Sequence, residues 1–84
     1  MKLFVFSIRD RSSVQFDRPF CGVNNGSAIR GFSDAVNSKE KGNVLNEHPE
    51  DFDLYVLGEF DTETGKFETH DPRQIAIGKD MFRG

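Results

Sequence analysis

The segment Asp51–Phe60 constrains the fold more than any other stretch, because its side chains alternate as they do in a β-strand. Leu54, Val56 and Phe60 fall on one side of this alternation, and Gly58 interrupts the apolar series. The intervening positions face the opposite way: Asp53, Tyr55, Leu57 and Glu59. Tyrosine, valine and phenylalanine favour strands, and the segment contains no proline. We therefore predict a strand, with Gly58 at a bulge or at a close approach of another element.

A hairpin is predicted directly after this strand. Residues Asp61–Gly65 have the composition of a turn, and Gly65 can adopt a positive φ angle without steric cost. If Gly65 closes the turn, Phe60 lies opposite Phe67 on the returning strand. Such an aromatic pair contributes roughly 0.2–1 kcal/mol more than an alanine pair. The turn thus sets the register of the two strands.

Further strands are predicted where apolar runs are bounded by turn residues: Lys2–Arg9, Phe20–Val23, Lys66–His70 and Gln74–Ile77. The first of these is apolar on both faces, which is typical of a central strand, and we expect it beside the strand ending at Phe60. Asp71–Arg73 is predicted to turn the chain between the last two strands. Lys79–Gly84 is predicted to be a frayed tail, in which Met81 and Phe82 could dock on the domain.

One main helix is predicted between the early and late strands. Ser27 is its expected N-cap, and apolar residues recur at helical spacing as far as Asn37. These residues are Ile29, Phe32 and Val36. Asn43 is expected to cap a second, short helix over Val44–Glu47, which the following His48–Pro49 pair ends.

Together these elements indicate a single domain spanning residues 1–84, in the α+β class. A small, mainly antiparallel sheet of three to five strands, with one main helix packed on one side, is the economical arrangement. Hydrophobic residues make up 36% of the chain, and nine residues are phenylalanine. We therefore expect aromatic packing to carry much of a small core.

The charge distribution argues against a strongly basic nucleic-acid binder, because the formal net charge is −3. The two halves of the chain differ, however. Residues 1–46 carry seven Lys/Arg and four Asp/Glu, whereas residues 47–84 carry four Lys/Arg and ten Asp/Glu. Such a chain could present a modestly basic face and an acidic face.

The cysteine content and the N-terminal sequence indicate a reducing compartment. Cys21 is the single cysteine, so no internal disulfide forms, and we predict a small, buried side chain there. The apolar run Leu3–Phe6 is too short for a signal peptide or a membrane span. We expect a cytoplasmic protein without membrane association.

Catalytic and metal-binding patterns are weak, so we predict neither an enzyme nor a metal or cofactor site. His48 and His70 lack a second ligand at a zinc-like spacing. Four acidic residues near His48 do not match a calcium-binding EF-hand loop: Glu47, Glu50, Asp51 and Asp53. A solvated loop with capping carboxylates explains them better.

The most informative cluster combines arginines with aromatic residues in the first half of the chain: Arg9, Arg11, Phe16, Arg18, Phe20 and Arg30. Proteins that bind single-stranded nucleic acid use cations to contact phosphates and aromatic rings to stack on bases. The alternative is that both phenylalanines belong to the core and that the arginines pair with Asp10 and Asp17. The sequence leaves both interpretations open.

Several segments, taken in order, carry a family resemblance. They are MKLFVFSIRDR at 1–11, RPF at 18–20, AIRGFSDAVN at 28–37, HPEDFDLYVLGEFD at 48–61 and GKD at 78–80. In this combination the chain resembles the small nonstructural protein of gokushoviruses, which are lytic single-stranded DNA phages of the microvirus group. The likeness runs over nearly the full chain and brings no catalytic motif with it.

The resemblance implies a nonstructural protein that acts in viral DNA replication in the host cytoplasm. It would bind single-stranded DNA, or favour single-stranded genome synthesis for packaging. A competing hypothesis is a protein-interaction module that docks on a phage or host replication protein without contacting DNA, with its acidic half facing a basic partner. Exposed strand edges would also allow a homodimer.

Overall fold

The computed structural model describes all residues, Met1–Gly84, and consists of one antiparallel sheet with helices on one side. The strands are β1 (Lys2–Asp10), β2 (Gln15–Phe16), β3 (Phe20–Gly22), β4 (Phe52–Asp61) and β5 (Phe67–Ile77). The helices are α1 (Asn25–Asn37), α2 (Val44–Glu47) and α3 (Gly78–Met81), with a 3-10 turn at Pro49–Asp51. None of these helices is long and apolar enough to cross a membrane. The predicted α+β class, with one main helix on a small antiparallel sheet, is confirmed.

Strand β1 lies inside the sheet, as its two apolar faces predicted. It pairs with β4 on one side and with the two short strands β2 and β3 on the other. Strand β5 pairs only with β4, so the sheet order is β2/β3–β1–β4–β5. The chain crosses β1 between β3 and β4, and α1 and α2 lie in that connection. This crossover places α1 against one face of the sheet.

The core lies between α1 and the face of the sheet that we call the helix-covered face. Phe6 of β1 and Leu54 of β4 are fully buried there, together with Val36 of α1. The remaining buried members of this cluster are Ala28, Phe32, Phe52, Val56 and Ala76. Burial of each large apolar side chain contributes about 1.5–3 kcal/mol, so this one face carries most of the hydrophobic stabilisation.

A β-bulge interrupts β4 in the middle of the sheet. Val5 pairs with Gly58 and the next residue, Phe6, pairs with Val56, so that Leu57 is the additional residue on β4. The bulge predicted at Gly58 is therefore confirmed.

The close approach predicted at Gly58 is also confirmed. A Cβ atom at this position would lie 2.8 Å from the Cα atom of Thr69 and would also collide with the carbonyl group of Glu68. Glycine is required because the β5 backbone occupies the space that any other side chain would need.

The bulge makes one prediction wrong. Simple alternation placed Phe60 on the same side as Leu54, but the additional residue reverses the alternation, and Phe60 pairs with Leu3 on the opposite face. The hairpin itself is confirmed, because Gly65 has a φ angle of 74° and Phe60 pairs with Phe67. The two rings lie 4.7 Å apart.

The return of the chain after the hairpin also differs from the prediction. The segments Lys66–His70 and Gln74–Ile77 were predicted as two strands, but Phe67–Ile77 is one strand with two irregularities in its pairing with β4. Val56 pairs with Arg73 while Gly58 pairs with Thr69, so residues 70–72 bulge out of the ladder. Proline lacks an N–H donor, and a bulge on an edge strand accommodates it without loss of a ladder hydrogen bond.

The start of α1 lies earlier than predicted. Asn24, not Ser27, is the N-cap, and its side-chain oxygen accepts a hydrogen bond from the Ser27 N–H group. Both residues have capping side chains, and the extended backbone of Asn24 decides between them. The short helix α2 matches the prediction, because Asn43 caps it at the Leu45 N–H group.

The C-terminal segment is packed as far as Met81, where the sequence predicted a frayed tail from Lys79, and the docking considered for Met81 is confirmed. Residues Gly78–Met81 form a helical turn, and Met81 packs on the core cluster. The Asn37 side chain donates to the Met81 carbonyl at 2.9 Å and accepts from the Arg83 N–H group at 2.8 Å. These two hydrogen bonds join the end of the chain to the end of α1.

Candidate nucleic-acid interface

The face of the sheet opposite α1, which we call the helix-free face, carries the candidate site. Strand alternation and pairing place twelve positions on it: Leu3, Val5, Ser7 and Arg9 of β1, Asp53, Tyr55, Gly58 and Phe60 of β4, and Phe67, Thr69, Gln74 and Ile77 of β5. Asp53 is the single carboxylate among these positions. The hairpin carboxylates Glu59, Asp61 and Glu68 project on the other side of the sheet. The alternation therefore separates most strand carboxylates from the helix-free face.

An aromatic and cationic cluster lies at the β2 end of the helix-free face. The rings of Phe16 and Tyr55 lie 5.2 Å apart in an edge-to-face arrangement. The Arg9 guanidinium lies 5.8 Å from the centre of the Phe16 ring, because these residues pair across β1 and β2. The Phe16 side chain is 42% exposed. We call Arg9, Phe16 and Tyr55 the Phe16 cluster.

Arg11 neutralises the one carboxylate of this face. Its Nε and Nη2 atoms donate to the two carboxylate oxygens of Asp53 at 2.7 and 3.0 Å. Asp53 is only 2% exposed, whereas Arg11 is 48% exposed. This hydrogen bond, reinforced by the charge of Asp53, raises the pKa of the Arg11 guanidinium above its ordinary value. Arg11 therefore holds the face free of an uncompensated negative charge.

Tyr55 is a member of the cluster that sequence reasoning did not select. Its hydroxyl donates to the Gln74 side-chain oxygen at 3.3 Å, which links β4 to β5. The available signal was its position on the polar side of the strand alternation, where an aromatic ring is not required for the core. Its contact with Phe16 depends on the pairing of β1 with both β2 and β4.

The structure divides the six residues predicted to contact nucleic acid. Arg9, Arg11 and Phe16 lie together on the helix-free face. Phe20 pairs with Phe6 and lies on the helix-covered face, with its ring 5.7 Å from that of Phe6. The other two are exposed elsewhere: Arg18 lies between β2 and β3, and Arg30 lies on the outer surface of α1.

The alternative interpretation of these residues does not match the structure. Phe16 and Phe20 are 42% and 39% exposed, so neither is a buried core residue. None of the four arginines forms a salt bridge with Asp10 or Asp17. Asp10 instead accepts hydrogen bonds from Ser12, chiefly from its hydroxyl, which lower the pKa of Asp10 below its ordinary value.

Cys21 is exposed, so the prediction of a buried side chain is wrong. It lies on the short edge strand β3 opposite Val5, and no further strand covers that edge. Free cysteines are usually buried, but Cys21 belongs to a strand of three residues that is too short to be enclosed.

One group of potential metal ligands lies away from the helix-free face. Donor atoms of His48, Glu50 and Asp51 lie within 4.8 Å of one another, and His48 and Glu50 are 3.7 Å apart. The histidine and Glu50 are exposed, and three donors are fewer than the four of a structural zinc site. These residues form the end of α2 and the 3-10 turn that leads into β4.

Comparison with known proteins places the chain in a phage family. The family model described as Phage ORF5 protein matches residues 3–81. Protein ORF5 of Chlamydia phage 1 is 34% identical over 79 residues, which cover 92% of this chain and 82% of that protein. No solved structure matches the chain. The resemblance to the small protein of gokushoviruses is confirmed by these matches. The chain belongs to the phage ORF5 protein family.

Proposed function

We propose that this phage protein acts in viral DNA replication in the host cytoplasm by binding single-stranded DNA on its helix-free face. The observation that carries the proposal is the Phe16 cluster, in which an exposed aromatic ring lies beside an arginine on the helix-free face. Such a protein would act as a nonstructural accessory factor that holds the strand during genome synthesis or packaging.

The chemistry of the cluster favours a single strand over a duplex. A base can stack on the exposed ring of Phe16 only when it is unstacked from its neighbours, as in single-stranded DNA. Arg9 would then contact a phosphate next to that base. Because Arg11 compensates Asp53, the local charge of this face is positive although the formal net charge of the chain is −3.

Fluorescence anisotropy of a labelled oligothymidylate, at low and near-physiological salt, tests the proposal. Base–aromatic stacking contributes about 1–3 kcal/mol per base, so Phe16→Leu should weaken binding by about 5- to 150-fold. Arg9→Ala should weaken binding and lower the salt dependence, because one phosphate contact is lost. Duplex DNA should bind more weakly than the single strand.

Matched controls make the result decisive. Arg30→Ala removes an exposed arginine from the outer surface of α1, and Phe82→Leu changes a phenylalanine that is 40% exposed after α3. Both should bind the oligonucleotide as the wild type does. No binding by the wild type at low salt, or equal losses in all four variants, would contradict the proposal.

The docking hypothesis is favoured by a different observation, the open edge of β5. This strand pairs only with β4, and its residues Phe67–Gln74 are all exposed. A free strand edge can accept an extended segment of a partner protein through backbone hydrogen bonds. Under this hypothesis, Arg9→Ala and Phe16→Leu would leave the capture of a phage or host replication protein unchanged.

A further inference from the structure

We propose that the hairpin carries a second base-stacking contact, formed by Phe60 and Phe67, on the same face as the Phe16 cluster. The inference rests on the proposed function and extends it, because it assigns the path of the DNA strand along β4. We call Phe60 and Phe67 the hairpin aromatic pair.

The bulge in β4 places this pair on the helix-free face. Without the additional residue Leu57, Phe60 would follow the alternation of Leu54 and Val56 and would point to the helix-covered side. With it, Phe60 pairs with Leu3 on one side and Phe67 on the other, and all three side chains lie on the helix-free face.

The hairpin aromatic pair is available to a ligand. Phe67 is 61% exposed, compared with 42% for Phe16, and the two hairpin rings are tilted by 45° at 4.7 Å. A hairpin can close without aromatic residues at these positions, so an exposed ring beyond the reach of α1 is not explained by the core.

The spacing of the two contacts suits an extended strand. Tyr55 and Phe60 are five positions apart on β4, which corresponds to roughly 13–17 Å along a strand that contains a bulge. The paired positions between them, Val5, Ser7 and Gly58, carry no charged side chain. A strand of DNA that crosses from one aromatic contact to the other would therefore meet no charged side chain at these three positions.

Charge favours a polyanion as the occupant of this path. Asp53 is the one carboxylate among the paired positions of the face, and Arg11 compensates it. Glu59, Asp61 and Glu68 project from the opposite side of the same hairpin, where they would repel DNA. The two sides of the hairpin thus differ in charge, and the uncharged aromatic side belongs to the helix-free face, which also carries Arg9.

The test measures the affinity of the full chain for an oligothymidylate of about 12 nucleotides, a length within the range that such surfaces bind. Phe67→Leu keeps an apolar side chain but removes the aromatic face, and it should weaken binding by about 5- to 150-fold. Phe67→Tyr keeps the aromatic face, so this variant should bind the oligonucleotide with near wild-type affinity. Circular dichroism should show that both variants retain the fold.

Three comparisons separate the possible outcomes. If Phe16→Leu weakens binding while Phe67→Leu and the control Phe82→Leu do not, DNA binding stands and the second contact is wrong. If the wild type does not bind the oligonucleotide at low salt, the proposed function and this inference both fail. If Phe67→Leu changes the mass in sedimentation equilibrium and leaves DNA affinity unchanged, the hairpin aromatic pair is a contact between two copies of the chain, which overturns the inference.

Discussion

The two faces of the sheet are built from the same strands, yet they differ in what their aromatic residues do. On the helix-covered face, Phe6 is completely buried against α1 and α1 contributes Phe32 to the same cluster. On the helix-free face, Phe16 and Phe67 remain 42% and 61% exposed. The comparison shows that the number of phenylalanines in the sequence does not indicate how many of them are buried in the core and how many remain exposed on the surface. Because α1 covers only one face, the phenylalanines on that face are buried in the core and those on the other face remain exposed as a candidate binding surface.

The largest expected effect is on the helix-covered face. Phe6→Ala should lower the free energy of unfolding by about 3–5 kcal/mol, because it leaves a cavity beneath α1. Since small domains have about 5–15 kcal/mol in total, this variant should be close to unfolding. Urea denaturation followed by circular dichroism measures the change, with Phe16→Leu as the matched variant on the other face. A smaller loss for Phe6→Ala than for Phe16→Leu would contradict the comparison.

The bulge that separates the halves of β4 can be tested with a pair of glycine variants. Gly58→Ala should destabilise the protein by about 1–3 kcal/mol, because its Cβ atom would collide with the β5 backbone at Glu68 and Thr69. Gly31 lies inside α1, and a Cβ atom added there would meet no packed neighbour within 4 Å. Gly31→Ala should therefore stabilise the protein by about 0.5–1 kcal/mol. Thermal unfolding of both variants should show a lower midpoint temperature for Gly58→Ala and a higher one for Gly31→Ala than for the wild type. Equal effects would mean that the close approach at Gly58 is absent in solution.

The pairing of Arg11 with Asp53 should contribute stability from the helix-free face. Arg11→Ala leaves a carboxylate that is 2% exposed without its bidentate partner, so the urea midpoint of unfolding should fall, though by less than for Phe6→Ala because Arg11 itself is half-exposed. The double variant Arg11→Ala/Asp53→Asn should recover part of that loss, since no unpaired charge remains. A double variant that is less stable than Arg11→Ala would show that the two residues do not act as a pair.

The smallest expected effect is a pH dependence from two partly exposed carboxylates, Asp10 and Asp61. Hydrogen bonds from Ser12 lower the pKa of Asp10, and the Glu63 N–H group lowers the pKa of Asp61, each below an ordinary value of 3.8. A lowered pKa in the folded state means that the stability is fully present above the ordinary pKa and is lost as the pH falls through the lower folded value. The variant Asp10→Asn/Asp61→Asn should therefore show a weaker loss of stability in this acidic range. An unchanged acid dependence of the unfolding midpoint would contradict the assignment.

Much of the fold follows from local chemistry. The alternation around Leu54, the turn at Asp61–Gly65 and the Asn43 cap of α2 depend on neighbouring residues, and all three were predicted correctly. The prediction of Ser27 as the N-cap of α1 was wrong, because Asn24 and Ser27 both have suitable side chains and only the extended backbone of Asn24 distinguishes them.

The candidate site was predictable in part. Arg9, Arg11 and Phe16 were selected for their chemistry and lie on one face, but the partner of Arg11 is Asp53, which is 42 positions away in the sequence. Phe20 was assigned to the same group and lies on the opposite face, because the residues between β2 and β3 change the alternation of the edge strand. Tyr55 carried a signal in the strand alternation, but its contact with Phe16 depends on the order of the strands.

The sequence by itself determined most of the elements and the α+β class, because strand alternation, helical spacing and turn residues act over a few neighbouring positions. The ordered combination of its segments indicated the family. The tertiary structure alone decided which face each aromatic residue occupies. A single additional residue, Leu57, reverses the direction of Phe60, and its effect depends on pairing with both β1 and β5. Register between distant strands is a property of their contacts, and no local pattern contains it.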